Sequence, residues 1–267
     1  MKRTTLRYEV RDAIGRIVLD RPAKHNAISP TMAAELGELL ASIESDPAVR
    51  VVSIQGEGGA FCSGGDLAPE DDGRKRPEGS AASVTLDVMN GVYGRAIRAL
   101  HRFPKPVVAI VSGVAAGAGA NLAFACDLVY ATPDARFSEI FVKRGLGLDC
   151  GGSWLLPRLI GLQRAKELAF FGDWIDAETA RSIGLVTAIW EHDAIAAAVE
   201  ERLRTLAARP PIALQQIKQS LHRALSLTME EALELEAVVQ AACTATDDFA
   251  EGMRAFIEKR EPTFRGR

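Results

Sequence analysis

Several large functional classes are excluded by what the chain lacks. Its four cysteines, Cys62, Cys126, Cys150 and Cys243, are widely spaced and form no CxxC pair. That spacing rules out a disulfide framework and reads as free thiols in a reducing compartment. No uninterrupted apolar run approaches the roughly 20 residues that span a bilayer. The longest weakly polar stretch, Val107 to Cys126, is broken by three glycines, a serine and an asparagine. Met1-Lys2-Arg3-Thr4-Thr5 leads into no apolar h-region, so no secretory signal and a cytoplasmic location are expected. Basic charge is not in excess, since the formal net charge is −3. Arg74-Lys75-Arg76 stands beside Glu70, Asp71, Asp72 and Glu78, which makes a solvated loop of mixed charge rather than a nucleic-acid patch. No GxSxG occurs, and His25, His101, His192 and His222 stand in no recognisable triad context. There is no HExxH or close Cys/His cluster, so no metal is expected.

What is present is an ordinary globular composition, 48% hydrophobic and 25% charged over 267 residues. Ile14 to Leu19, Val49 to Ile54, Val107 to Val111 and Leu128 to Tyr130 read as short buried strands. Ser29-Pro30 opens a helix, with Ser29 as N-cap, Pro30 at the first helical position and Leu36, Leu39, Leu40 and Ile43 on one face. Residues at helical spacing between Leu86 and Leu100, Met89 and Tyr93 among them, read as core or pocket wall. Strands alternating with helices predict βαβ units, and continuous apolar strands predict a sheet covered on both faces. Residues 68–82 are rich in Gly, Pro and charge and read as a loop. From Trp154 onward the chain reads as helical, with segments at Ala194 to Ala208, Leu214 to Leu225 and Glu230 to Phe256. The division is an α/β core over 1–190 and a helical region over 191–267.

Two glycine-rich turns stand out, each following a strand and entering a helix-like segment. They are Ala60-Phe61-Cys62-Ser63-Gly64-Gly65-Asp66-Leu67 and Gly113-Val114-Ala115-Ala116-Gly117-Ala118-Gly119-Ala120-Asn121. Such turns let a ligand approach the backbone and leave N–H groups free. Two of them converging would make an oxyanion hole, in which each donor is worth roughly 3–4 kcal/mol of transition-state stabilisation. Neither turn is GxGxxG or ends in GK[ST], so dinucleotide and triphosphate binding are not indicated.

RPAKHNAIS, AFCSGGDL, SGVAAGAGANLAFACDL and EGMRAFIEKREPTF together, in this order and at this spacing, resemble the enoyl-CoA hydratase/isomerase (crotonase) family over essentially the whole chain. The resemblance implies an α/β fold, a spiral of ββα units with C-terminal helices that mediate assembly into a homotrimer or homohexamer. It implies an acyl-CoA thioester as ligand and no cofactor beyond the coenzyme A of that substrate. By position, the oxyanion donors are the N–H groups of Gly65 and Ala118. Coenzyme A contacts carry over to Ala23, Lys24, Ala60, Gly64, Asp66 and Leu67, with Lys259 as a phosphate contact from the same or a neighbouring subunit.

The two glutamates with which the family's hydratases activate water fall at Asn121 and Phe141 here, so both carboxylates are absent. Glu139 lies nearby, but with Phe137 to Phe141 extended it shares a face with Phe141 and stands two residues out of register. The next candidate is Asp149. GLGLDCGGSWLLPRLIG resembles the segment of the family's isomerases in which an Asp is the acid/base, and Phe141 lines the acyl site. Among Leu146, Leu148, Phe141 and Trp154 this aspartate is expected to be partly desolvated, which strengthens it as a base. The bland reading is that Asp149 only caps the helix containing Trp154. The expected function is therefore an enoyl-CoA isomerase acting on straight-chain or ring thioesters. The alternatives are a weak hydratase, an aryl-CoA dehalogenase or thioester hydrolase, and a non-catalytic acyl-CoA binder. The dehalogenase base would fall at Gly94, which supplies none.

Overall fold

The computed structural model describes residues 3–66 and 79–267. Most of the expected loop at 68–82, and Leu67, lie outside the described residues. The chain opens with β1 (Leu6–Arg11) and β2 (Ile14–Leu19), an antiparallel hairpin. The first strand was not legible in the sequence because its residues alternate with charge and are mostly exposed at the sheet edge. Helix α1 (Pro30–Ile43) begins as expected, with the Ser29 hydroxyl accepting from the Met32 N–H at 3.2 Å. Then come β3 (Val51–Gly56), α2 (Ala81–Val88), α3 (Gly94–Arg102), β4 (Val107–Val111), β5 (Val114–Ala116) and α4 (Ala118–Phe124). They are followed by β6 (Leu128–Ala131), β7 (Arg136–Ser138), α5 (Gly152–Ile160), α6 (Leu162–Phe171), β8 (Ile175–Asp176), α7 (Ala177–Ser182) and β9 (Ala188–Ile189).

The larger sheet has the order β1-β2-β3-β4-β6-β9 and is parallel from β2 onward. The smaller has the order β5-β7-β8, and single bridges Cys62↔Ala115 and Ile28↔Gly65 continue it. Each turn of the chain lays a strand in the large sheet, pairs once in the small one, and leaves through a helix. This is the spiral of ββα units the sequence led us to expect. Val51, Val52 and Ile54 are fully buried on both faces of β3, as a covered parallel strand requires.

All described elements after residue 190 are helices: α8 (Ile195–Ala208), α9 (Pro211–Ala224), α10 (Met229–Thr244) and α11 (Asp247–Glu258). Helix α8 belongs physically to the sheet. Its Ile195, Val199, Leu203 and Ala207 pack on Ile14, Val51, Val108 and Tyr130 to form a second apolar cluster behind it. The expected single helix from Glu230 to Phe256 is two, because the Thr246 hydroxyl accepts from the Phe249 N–H at 3.1 Å and restarts the chain as α11. No helix among the described residues is long and apolar enough to cross a membrane.

Candidate active site

The two glycine turns meet. The Cys62 N–H donates to the Val114 carbonyl at 2.9 Å and the Ala116 N–H donates back to the Cys62 carbonyl at 3.0 Å. Two glycines make this approach possible. A Cβ on Gly119 would stand 2.3 Å from the Cys62 carbonyl oxygen, and one on Gly64 would stand 3.0 Å from that of Ala116. Gly117, at φ 51°, turns the chain from β5 into α4. The Ala118 N–H then opens a helix and has no preceding-turn carbonyl to meet. Neither it nor the Gly65 N–H is hydrogen-bonded among the described residues. Gly65 is exposed and Ala118 is buried.

The loop carrying Ala23 and Lys24 is fastened to the first turn by Asn26. This side chain is fully buried, accepts from the Arg21 N–H at 2.9 Å, and donates to the carbonyls of Glu57 at 2.8 Å and Ala60 at 2.7 Å. The Ser63 N–H donates to the His25 carbonyl at 3.0 Å, and Arg21 pairs with Asp66 at 2.6 Å. Ala23, Lys24, Ala60, Gly64 and Asp66 are thus brought together. The Asp66 side chain is committed to Arg21, and its N–H donates to the Ile28 carbonyl at 2.9 Å. The structure does not bring Lys259 to them within one chain. It is exposed at the end of α11, in the left-handed conformation at φ 53°.

Asn121, on α4, faces the acidic residues. Its amide donates to the Asp149 backbone carbonyl at 3.0 Å and lies 3.4 Å from Glu139 Oε2. It is fully buried and pressed against Gly152, where a Cβ would come within 2.5 Å of Nδ2. Asp149 does not cap α5. The N-cap is Gly151, with no side-chain bond, and Asp149 contributes only its backbone carbonyl to the Gly152 N–H at 2.9 Å. Burial raises its carboxyl above the usual value, and a hydrogen bond from Cys150 partly offsets this. Its Oδ1 is buried without a partner. The expected apolar surround is only partly realised. Leu146 is 51% exposed, and Trp154 turns to His101, edge-on at 5.0 Å, and to Arg158 at 4.1 Å. His101 also stacks on His222 at 4.2 Å.

Glu139 requires a correction. The segment is not extended beyond Ser138, where β7 ends, and Ile140–Arg144 is a 3-10 turn. Glu139 therefore does not share a strand face with Phe141. It is 2% exposed, and burial, reinforced by the Asp149 charge and opposed by the Asn121 hydrogen bond, raises its carboxyl to about 8. Phe141 is buried near Gly117, where a Cβ would meet its ring at 3.4 Å.

Comparison with known proteins agrees with this geometry. The family described as enoyl-CoA hydratase/isomerase matches residues 9–267. An Escherichia coli K12 protein named 1,2-epoxyphenylacetyl-CoA isomerase is 38% identical over 251 residues, covering 94% of each chain. A Rhodobacter capsulatus protein named "probable enoyl-CoA hydratase" is 38% identical over 273 residues, covering 98% of each. The crystal structure of an enoyl-CoA hydratase from Polaromonas sp. JS666 superposes with a TM-score of 0.88 at 34% identity, over 97% of this chain and 99% of that one. The two converging turns, the spiral and these matches define an acyl-CoA enzyme of the crotonase fold. The chain belongs to the enoyl-CoA hydratase/isomerase family.

Proposed function

We propose that this protein is an enoyl-CoA isomerase with Asp149 as its acid/base. One observation carries the reading: Asp149 is a half-buried carboxyl with a raised pKa, released from capping, and its backbone carbonyl is held by Asn121 at the end of the second turn's segment. The family's water-activating positions, by contrast, hold a buried amide, Asn121, and a buried ring, Phe141.

Asp149 takes a proton from C2 of a 3-enoyl thioester. The C–H electron pair moves toward the carbonyl, and the resulting dienolate carries its charge on the thioester oxygen, facing the Gly65 and Ala118 N–H groups. Asp149 returns the proton at C4, the C2=C3 double bond forms, and the thioester leaves conjugated. No electrons or atoms are gained, so no cofactor beyond the coenzyme A of the substrate is needed. A ring-containing thioester, such as that named for the Escherichia coli relative, is the second substrate class this reading admits. Hydration requires a base and an acid around one water, and Phe141 offers neither. We also propose that the chain assembles as a homotrimer or homohexamer. Leu221, Leu225, Met229, Leu233 and Phe256 on the outer helices are more than half exposed in the single chain, and a neighbouring subunit would bring coenzyme A phosphate within reach of Lys259.

The test is conjugation of 3-hexenoyl-CoA followed in the ultraviolet, with hydration of crotonyl-CoA in parallel. Isomerisation well above hydration is expected. Hydration at an equal rate would overturn the reading.

A further inference from the structure

One buried acid has no task in the reaction just proposed. Glu139 Oε1 has no partner, and Oε2 faces the Asn121 amide, which also holds the Asp149 carbonyl. Asn121 Oδ1 and Asp149 Oδ1 are likewise buried without partners. Asn121 fills the space that a Cβ at Gly152 would need, and its amide ties Glu139 Oε2 to the Asp149 backbone carbonyl. Acceptors outnumber donors here, and two of the acceptors belong to acids. A proton kept on one carboxyl supplies the missing donor and removes one of two like charges. The more buried carboxyl keeps it, and Glu139 is more buried than Asp149.

We infer that Glu139 is a positioning residue whose protonated carboxyl keeps the pocket at a single negative charge, that of Asp149, and whose ionisation shuts the reaction off from the alkaline side. The inference rests on the isomerase reading. A dienolate adds charge beside Asp149, and a second carboxylate in the same poorly solvated pocket opposes it. The raised carboxyl of Glu139 places the change near pH 8. The titratable groups that interact with Glu139 among the described residues are Asp149 and Cys150. Burial and the Asp149 charge push the Cys150 thiol far up, so it keeps its proton throughout this range.

The experiment is a pH profile of kcat and KM on 3-hexenoyl-CoA for the wild type, Glu139→Gln and Asp149→Asn. It is paired with carbon-13 NMR titration of glutamate-labelled wild-type enzyme, which needs no variant to fold. The expected wild-type kcat falls above about pH 8, approaching tenfold per pH unit, with KM nearly constant. Glu139→Gln keeps the neutral-pH rate within about threefold and loses that fall. One labelled carboxyl titrates near pH 8. A Glu139→Gln enzyme inactive at every pH, one that keeps the wild-type alkaline fall, or a wild type with every glutamate carboxyl ionised by pH 6 would overturn the inference. Full activity of Asp149→Asn would instead refute the isomerase reading, and the labelled carboxyl would still decide whether Glu139 holds its proton.

Discussion

Asn26→Ala removes the fastening between the coenzyme A loop and the first glycine turn, and its cost follows from the partners left behind. The Ala60 carbonyl lies in a residue only 5% exposed and loses its bond at 2.7 Å with no access to water. A buried group left unpaired in this way costs about 1–3 kcal/mol. The Glu57 carbonyl and Arg21 N–H sit in exposed and half-buried residues and recover part of their bonding from solvent, for about 0.5–1 kcal/mol each. Asn26 also sits at φ 55°, a left-handed conformation that asparagine tolerates and alanine resists by roughly 1 kcal/mol. The sum is about 3–6 kcal/mol, large for one side chain.

Urea unfolding at fixed protein concentration measures this cost. Asn26→Gly is the control that separates its parts, because it relieves the backbone strain and leaves the three hydrogen bonds missing. We expect the glycine variant to recover about 1 kcal/mol of the alanine loss. Because the same loop carries Ala23 and Lys24, KM for an acyl-CoA should rise in both variants with kcat less affected. A loss below 1 kcal/mol in Asn26→Ala would refute the reasoning.

Asp149→Asn should lower kcat for isomerisation by about 10²–10⁴ with little change in KM, as removal of a lone general base requires; steady-state kinetics on 3-hexenoyl-CoA checks it. Gly119→Ala should destabilise the chain by about 3 kcal/mol or more, since its Cβ meets backbone 2.3 Å away and neither turn has room to yield; thermal melts read this directly. Stability should fall as pH rises from about 4.5 toward 8 and level off above it. The folded chain retains the Glu139 proton that the unfolded chain releases at its ordinary value of 4.5. Melts of Glu139→Gln over this range should show a shallower decline.

The sheet and its helices were legible because their signals are local. Aliphatic runs such as Val107–Val111 can only be covered strands, and Ser29-Pro30 announces a helix start in two residues. The meeting of the two turns was legible for a different reason: Gly64 and Gly119 are demanded by backbone approach and Gly117 by its positive φ, and that demand is written in the sequence itself. Glu139 was not legible. Whether it pointed outward or inward depended on the chain leaving the extended conformation after Ser138, and nothing in Glu139-Ile140-Phe141 marks a strand ending there. The Asp149 cap was ambiguous for the same reason. Aspartate is a favoured N-cap, and only the left-handed Cys150 and Gly151, at φ 47° and 85°, put the helix start two residues beyond the place where Asp149 would cap it.

Two features of this site, the amide at 121 and the acid at 139, are best understood as one. With Glu139 and Asp149 both held in a pocket of low polarity, a third carboxyl at 121 would add a like charge and remove the donor that now serves both. The amide solves both problems, because it carries no charge and offers a hydrogen. If the two positions are coupled in this way, Asn121→Asp should cost more stability in the wild type than in a Glu139→Gln background, where the neighbouring acid is already gone. The difference between the two losses, measured in a double-mutant cycle by urea unfolding, should be at least about 1 kcal/mol for side chains in contact. Additive losses would mean that Asn121 and Glu139 occupy the same pocket independently, and the amide at 121 would then need another explanation.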